Sequence, residues 1–149
     1  MIRKNEGLIV FSKKIKDNDL FIRILSSNNE IVSGMIYGGN SSKKKSIYQT
    51  GYFIEYSLLI KNINIPASIN AEISKPFLSN IIQDKYKSFA LFAIISLINL
   101  SIVEGQKING FYKSVKDLIS TMTLDSYWLL AFCKWLFTLL KLIGYEVDY

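Results

Sequence analysis

Apolar and polar residues alternate through the first half of the chain and give way at Pro76 to apolar residues at helical spacing. Five stretches before Pro76 have strand character. Residues 7–15 place Ile9, Phe11 and Ile15 on one face, with Lys13 breaking the row. In 20–25, Leu20, Ile22 and Ile24 alternate with Phe21, Arg23 and Leu25. The polar turn Ser26-Ser27-Asn28-Asn29 leads into 30–37. In 52–61, Tyr52, Ile54, Tyr56, Leu58 and Ile60 are apolar while Glu55, Ser57 and Lys61 stand opposite, as in a half-buried strand with one wet side. A fifth strand, 67–74, follows Pro66. Short consecutive strands of this kind predict a small antiparallel sheet or a closed barrel.

Four helices are predicted after Pro76. The first, 77–84, begins beside a proline, whose missing N–H has no intrahelical partner there. The second, 86–104, is apolar nearly all round, although Ser96, Asn99 and Ser101 interrupt it. Its run 89–103 falls short of the about 20 apolar residues a bilayer span requires, so a buried helix is expected. In the third, 111–122, Phe111, Val115, Leu118, Ile119 and Met122 form one stripe, and Lys113, Lys116 and Asp117 lie outside it. The fourth, 126–143, is expected to have Asp125 as its N-cap and Gly144 as a left-handed C-cap. Only Lys134, Thr138 and Lys141 break its apolar surface, so this helix too is expected to be buried. The chain therefore divides into an α+β arrangement, strands over 1–76 and helices over 77–149.

Between the third and fourth strands lies Gly38-Gly39-Asn40-Ser41-Ser42-Lys43-Lys44-Lys45-Ser46. Gly34 to Ser41 has the glycine spacing and serine of a phosphate-binding loop, but Asn40 replaces the lysine that must reach the phosphates. ATP or GTP binding is therefore not expected. Two readings remain: a flexible, solvated hairpin loop, or a clamp on a phosphate backbone, in which lysines displace counterions and Ser41, Ser42 and backbone N–H groups bond phosphate oxygens. A second basic cluster, Lys13, Lys14 and Lys16, closes the first strand, and Arg23 sits mid-strand, where a charge requires a wet face. Tyr37 and Tyr48 flank the lysine loop, with Tyr52 beyond. Aromatic faces for bases beside lysines for the backbone are the usual pattern of single-strand binding on a small barrel. Ordinary strand packing is the competing reading of the tyrosines.

Charge adds weight to the clamp. The 149 residues carry a net charge of +6, and residues 1–76 supply +5 of it. A basic balance favours an anionic partner, either nucleic acid or a membrane surface. The polar segment 1–6 lacks the apolar core of a signal peptide.

The single cysteine, Cys133, and the absence of histidine exclude an intrachain disulfide, a structural zinc site and the Cys–His and Ser–His catalytic pairs. This usage fits a reducing cytoplasm. Asp17 and Asp19 fall in a turn and are expected to serve its geometry. Glu55 reads as a surface residue and Cys133 as inert helix packing. A catalytic role is not expected, nor is a cofactor or a metal.

Glu6-Gly7-Leu8-Ile9-Val10, Asp17-Asn18-Asp19, Ile31-Val32-Ser33-Gly34, the loop Gly38 to Lys43, and Gly51-Tyr52-Phe53-Ile54-Glu55-Tyr56 form a set of segments. Together they resemble the RecO family of bacterial recombination mediators. Leu142-Ile143-Gly144-Tyr145 with Asp148 resembles the segment ahead of the family's zinc ribbon. The resemblance implies a five-stranded OB-fold barrel, 1–76, as the nucleic-acid-binding domain, followed by an all-helical domain, 77–149. It also implies binding of single- and double-stranded DNA, annealing of complementary strands, binding to the tail of single-stranded-DNA-binding protein, and loading of RecA with RecR. Two departures stand out. Asn40 occupies a position where the family commonly has a basic residue, and the zinc-ribbon region is expected to be absent from these residues.

On this reading the nucleic-acid contacts are Lys13, Lys14, Lys16, Arg23, Tyr37, Ser41, Ser42, Lys43, Lys44, Lys45 and Tyr48. An adaptor that takes an acidic, apolar peptide beside Lys113, Lys116 or Lys134 is a second reading. An RNA-binding OB module is a third.

Overall fold

A computed structural model describes residues 2–144, and within them every side chain but that of Ser42. The segment Tyr145 to Asp148 used in the resemblance therefore lies outside the described residues, apart from the Leu142-Ile143-Gly144 that precedes it.

Five strands form first: β1 (Ile2–Ile15), β2 (Asp19–Ser26), β3 (Ile31–Ile36), β4 (Phe53–Leu59) and β5 (Ser68–Lys75). They close into a barrel in the order β1-β2-β3-β5-β4, consistent with the expected OB-fold. Strand β1 is long enough to pair with two neighbours, β4 through Ile2 to Leu8 and β2 through Gly7 to Ile15. It begins earlier than the expected residue 7 because polar residues suffice for the outer side of a strand whose partner closes the ring. The closing pair, β3 with β5, is parallel and rests on one register match, Met35 with Ser68. Gly34 permits this closure, since a Cβ there would stand 2.7 Å from the Ala67 carbonyl oxygen.

Leu20, Ile22, Ile24, Ile54, Leu58 and Ile69 fill the barrel interior, as the alternation in 20–25 and 52–61 predicts. The row expected in the first strand is different. A bulge between Ile9 and Phe11 inserts Val10 and reverses the parity beyond it. Ile9 therefore packs inward, while Phe11 and Lys13 face outward together.

Helices follow: α1 (Ser42–Lys45) between β3 and β4, then α2 (Phe77–Ile82), α3 (Lys85–Ser101), α4 (Phe111–Leu124) and α5 (Trp128–Leu142). Asp84 caps α3 by accepting from the N–H groups of Tyr86 and Lys87. Asp125 does not cap α5. It ends α4, and its carboxylate accepts from Tyr127 N at 2.8 Å. Gly144 has the expected left-handed φ, +100°.

The barrel and helices share one apolar core. Leu8, Val10, Leu25, Ile31 and Phe53 leave the barrel wall to pack with Leu91, Ile94, Phe111, Val115 and Ile119. Phe53 stands edge-on to Phe77 at 5.6 Å and to Tyr112 at 6.2 Å. Polar groups fasten the same joint. Asn99 Nδ2 donates to Val10 O, at the bulge, at 2.9 Å. Tyr112 N donates to Asn29 Oδ1 at 3.0 Å, and Lys116 pairs with Glu6 at 3.1 Å. Asn99 thus explains one polar interruption in the apolar run 89–103.

The outer helical faces are not buried as expected. Phe89 and Phe92 of α3 and Leu129, Leu130 and Phe137 of α5 are exposed. Of α5, only Trp135 and Leu139 are buried, because α5 packs on α4 alone among the helices it touches substantially. No helix among the described residues is long and apolar enough to cross a membrane.

Two buried phenols, Tyr56 in the barrel interior and Tyr112 at the joint, make the fold sensitive to alkali. Burial pushes the Tyr56 hydroxyl from 10.0 up to about 12, against a lowering contribution from Ser26 and with help from the Glu30 charge. Burial, and then the charge of Glu6, raises Tyr112 in the same direction. The folded chain holds both phenols neutral while the unfolded chain ionises them. Stability is therefore retained below pH of about 10 and falls as pH rises through about 12. Urea midpoints measured across this window should fall less steeply for Tyr56→Phe than for the unmodified chain.

Candidate nucleic-acid interface

Two turns meet at one end of the barrel. Asn40 N donates to Asn18 O at 2.9 Å, and Asn40 Nδ2 donates to Asp17 O at 3.2 Å. Gly38 N donates to Asp19 Oδ1 at 2.9 Å. The β1–β2 turn and the β3–α1 turn are thereby joined, bringing the segment that holds Lys13, Lys14 and Lys16 beside the approach to Lys43, Lys44 and Lys45. Asn40 supplies two of these three bonds. Asp19 serves turn geometry, as its position predicts.

The lysine segment is not an open hairpin loop. It forms the short helix α1, capped by Ser41, whose Oγ accepts from Lys44 N at 3.3 Å. Lys44 Nζ reaches Tyr37 O at 3.5 Å. Lys43, Lys44, Lys45, Ser41 and Tyr37 are exposed. Lys16 is also exposed and holds φ at +55°, a left-handed conformation uncommon for a residue with a Cβ. Lys13 and Lys14 are exposed on opposite sides of β1, paired with Phe21 and Leu20 respectively.

Just below this end, the outer wall of β1 and β2 carries an alternating group. Phe11 lies directly opposite Arg23, and Lys13 directly opposite Phe21. The two rings meet edge-on with centroids 6.3 Å apart and planes at 67°. Phe11 is 38% exposed. Arg23 has the wet face its position requires, half-buried beside Ser33 of β3. Sequence reasoning missed both phenylalanines as functional candidates. The available signal was a repeated aromatic-x-cation triplet, Phe11-Ser12-Lys13 and Phe21-Ile22-Arg23, which antiparallel pairing turns into a checkerboard.

Another stretch of the barrel wall carries a row of carboxylates. Glu6, Glu55 and Glu72 are register partners across β1, β4 and β5. With Lys4, Ser57 and Asn70 they line a shallow hollow of about 500 Å³. Like charges directly opposite one another in a sheet are unfavourable, and Glu6 is relieved by Lys116. No group of side chains among the described residues is arranged to hold a metal ion.

Three expectations are corrected, two of them contacts. Tyr48 is 4% exposed in the barrel core, and its hydroxyl oxygen accepts from Ala71 N at 3.0 Å, so its ring offers no face to a base. Lys116 is engaged with Glu6 and the Tyr112 ring, so it belongs to the barrel–helix joint rather than to the rim of a peptide groove. Cys133 is exposed rather than packed. Lys113 and Lys134 are exposed on α4 and α5.

The fold and surface define a class: a small closed β-barrel with one cationic, aromatic wall, fused through a shared core to a helical layer. No family model matches the chain. It is 25% identical over 145 residues to DNA repair protein RecO of Rickettsia canadensis, covering 97% of this chain and 59% of that protein. Against the protein of the same name from Rickettsia akari the identity is 27% over 148 residues, with 97% and 60% covered. For that of Hyphomonas neptunium it is 24% over 146 residues, again with 97% and 60% covered. The chain thus spans about three fifths of the length of these relatives. These matches support a RecO-family protein.

Proposed function

We propose that the chain acts in DNA repair and recombination by binding DNA on the lysine-bearing end of its barrel and promoting the annealing of complementary strands. On this reading residues 1–76 form the DNA-binding domain and 77–149 a helical domain. The observation that carries it is the junction of the two turns, which gathers Lys16 and the lysines of α1 at one end while the carboxylates occupy another wall.

The mechanism requires no covalent step and no cofactor. Lysines neutralise phosphates and release condensed counterions. Two backbones screened by one basic surface repel each other less, so complementary strands meet sooner and pairing supplies the free energy. The name DNA repair protein carried by the relatives supports the cellular setting. Delivery of strands from the tail of single-stranded-DNA-binding protein, and RecA loading with RecR, belong to the same proposal through the family resemblance.

Binding of a labelled oligonucleotide should weaken with salt along a log–log line whose slope is about −0.7 per phosphate contact. Complementary oligonucleotides should anneal faster with the protein present and no nucleotide added. A flat salt profile without faster annealing would overturn the reading. Equal affinity for matched RNA would favour the RNA-binding module instead.

The exposed face of α5 favours a second reading alongside the first. Leu130, Cys133 and Phe137 are exposed at helical spacing beside Lys134, a surface suited to an acidic, apolar peptide. Peptide binding that persists in a variant unable to bind DNA would separate the two.

A further inference from the structure

We propose that Phe11 and Phe21, framed by Arg23 and Lys13, form a base-stacking site that makes the barrel selective for single-stranded polynucleotide over duplex. The inference rests on the DNA-binding reading above and names which form of the ligand this wall takes.

Four observations converge. The bulge at Val10 turns Phe11 out of the barrel, where a phenylalanine has no polar tip to justify exposure. Antiparallel register then places a cation directly across from each ring, Arg23 from Phe11 and Lys13 from Phe21. A base resting on a ring thus has a positive group beside it, placed to meet a backbone phosphate. The wall also adjoins the turn that carries Lys16, so a backbone leaving the rings meets further positive charge. The wall bearing Glu6, Glu55 and Glu72 offers a polyanion the opposite.

Ring spacing gives the selectivity. The centroids are 6.3 Å apart and the planes inclined at 67°. Bases lying on both rings cannot remain stacked on each other at the about 3.4 Å spacing of a duplex strand. Only a strand whose bases are free to splay can occupy both. Duplex keeps its bases paired and meets this wall through phosphates alone.

The test compares three probes by fluorescence anisotropy at matched salt concentrations across a salt series: an oligothymidylate, an abasic oligomer with the same number of phosphates, and a duplex of the same length. The unmodified protein should bind oligothymidylate at least about tenfold more tightly than the abasic oligomer, since stacking contributes roughly 1–3 kcal/mol per base. F11L/F21L, which keeps apolar bulk on the wall, should lose that preference while its affinity for the abasic oligomer and the duplex stays within about twofold. F11Y/F21Y, which keeps the rings, should retain it. The inference is overturned if the unmodified protein binds duplex as tightly as oligothymidylate, if F11L/F21L keeps the preference, if it weakens all three probes alike, or if F11Y/F21Y loses it. It also fails alone if the unmodified protein binds oligothymidylate and abasic oligomer equally with a steep salt slope, which leaves the phosphate reading standing. Failure to bind any probe overturns both.

Discussion

Neutralising Lys43, Lys44 and Lys45 together to glutamine is expected to reduce the magnitude of the log–log salt slope of single-strand binding by up to about 2, at about 0.7 for each phosphate no longer neutralised. Across a fourfold rise in salt, a slope change of about 2 alters the fall in affinity by about 16-fold. The three side chains are exposed on α1 and their ammonium groups form no ion pair among the described residues. Their removal leaves the Ser41 cap and the turn junction intact, because those bonds use backbone groups and the side chains of Ser41, Asn40 and Asp19, not a lysine ammonium. Slopes measured on the triple variant and the unmodified protein decide the matter. Equal slopes would place the phosphate track elsewhere on the barrel.

Phe53→Ala is expected to have the largest effect on stability, about 3–5 kcal/mol, the range for emptying a large aromatic site in a packed core. Phe53 is 1% exposed and touches both Phe77 of α2 and Tyr112 of α4 from the barrel wall. The cavity would open where strands and helices meet, so both should lose stability together. Denaturant unfolding followed by far-ultraviolet circular dichroism and by tryptophan fluorescence should give one shifted transition by both probes. Trp128 and Trp135 lie in α5, so fluorescence reports the helical side. A helical transition that stayed put while the barrel melted earlier would show that the core is not shared in energy as it is in contact.

Much of the fold was legible because side-chain period is a local property. The alternation over Leu20 to Leu25 and Tyr52 to Ile60, and the stripe from Phe111 to Met122, name their own buried faces. A bulge is not local in the same way. Val10 is one more apolar residue in an apolar run, and only its pairing with β2 reverses the faces beyond it. This is why Phe11 reads as core and stands on the surface. Tyr48 fails for a related reason: a tyrosine beside lysines looks like a stacking platform, but its ring closes the barrel and its hydroxyl finds Ala71 N. Apolar content likewise misjudged α5, since composition states that a surface is apolar without stating what lies against it. The lysine segments were legible as charge, whereas their junction through Asn40 depends on two turns distant in sequence.

The row of glutamates across β1, β4 and β5 bears on how annealing would work. A barrel ringed evenly with lysines would accept strands on opposite sides, where its own body would hold them apart. Carboxylates on one flank would make that second berth unfavourable. On the proposed annealing reading, two guests would then settle on the same side, within reach of each other, and the repulsive wall would contribute to pairing alongside the attractive one.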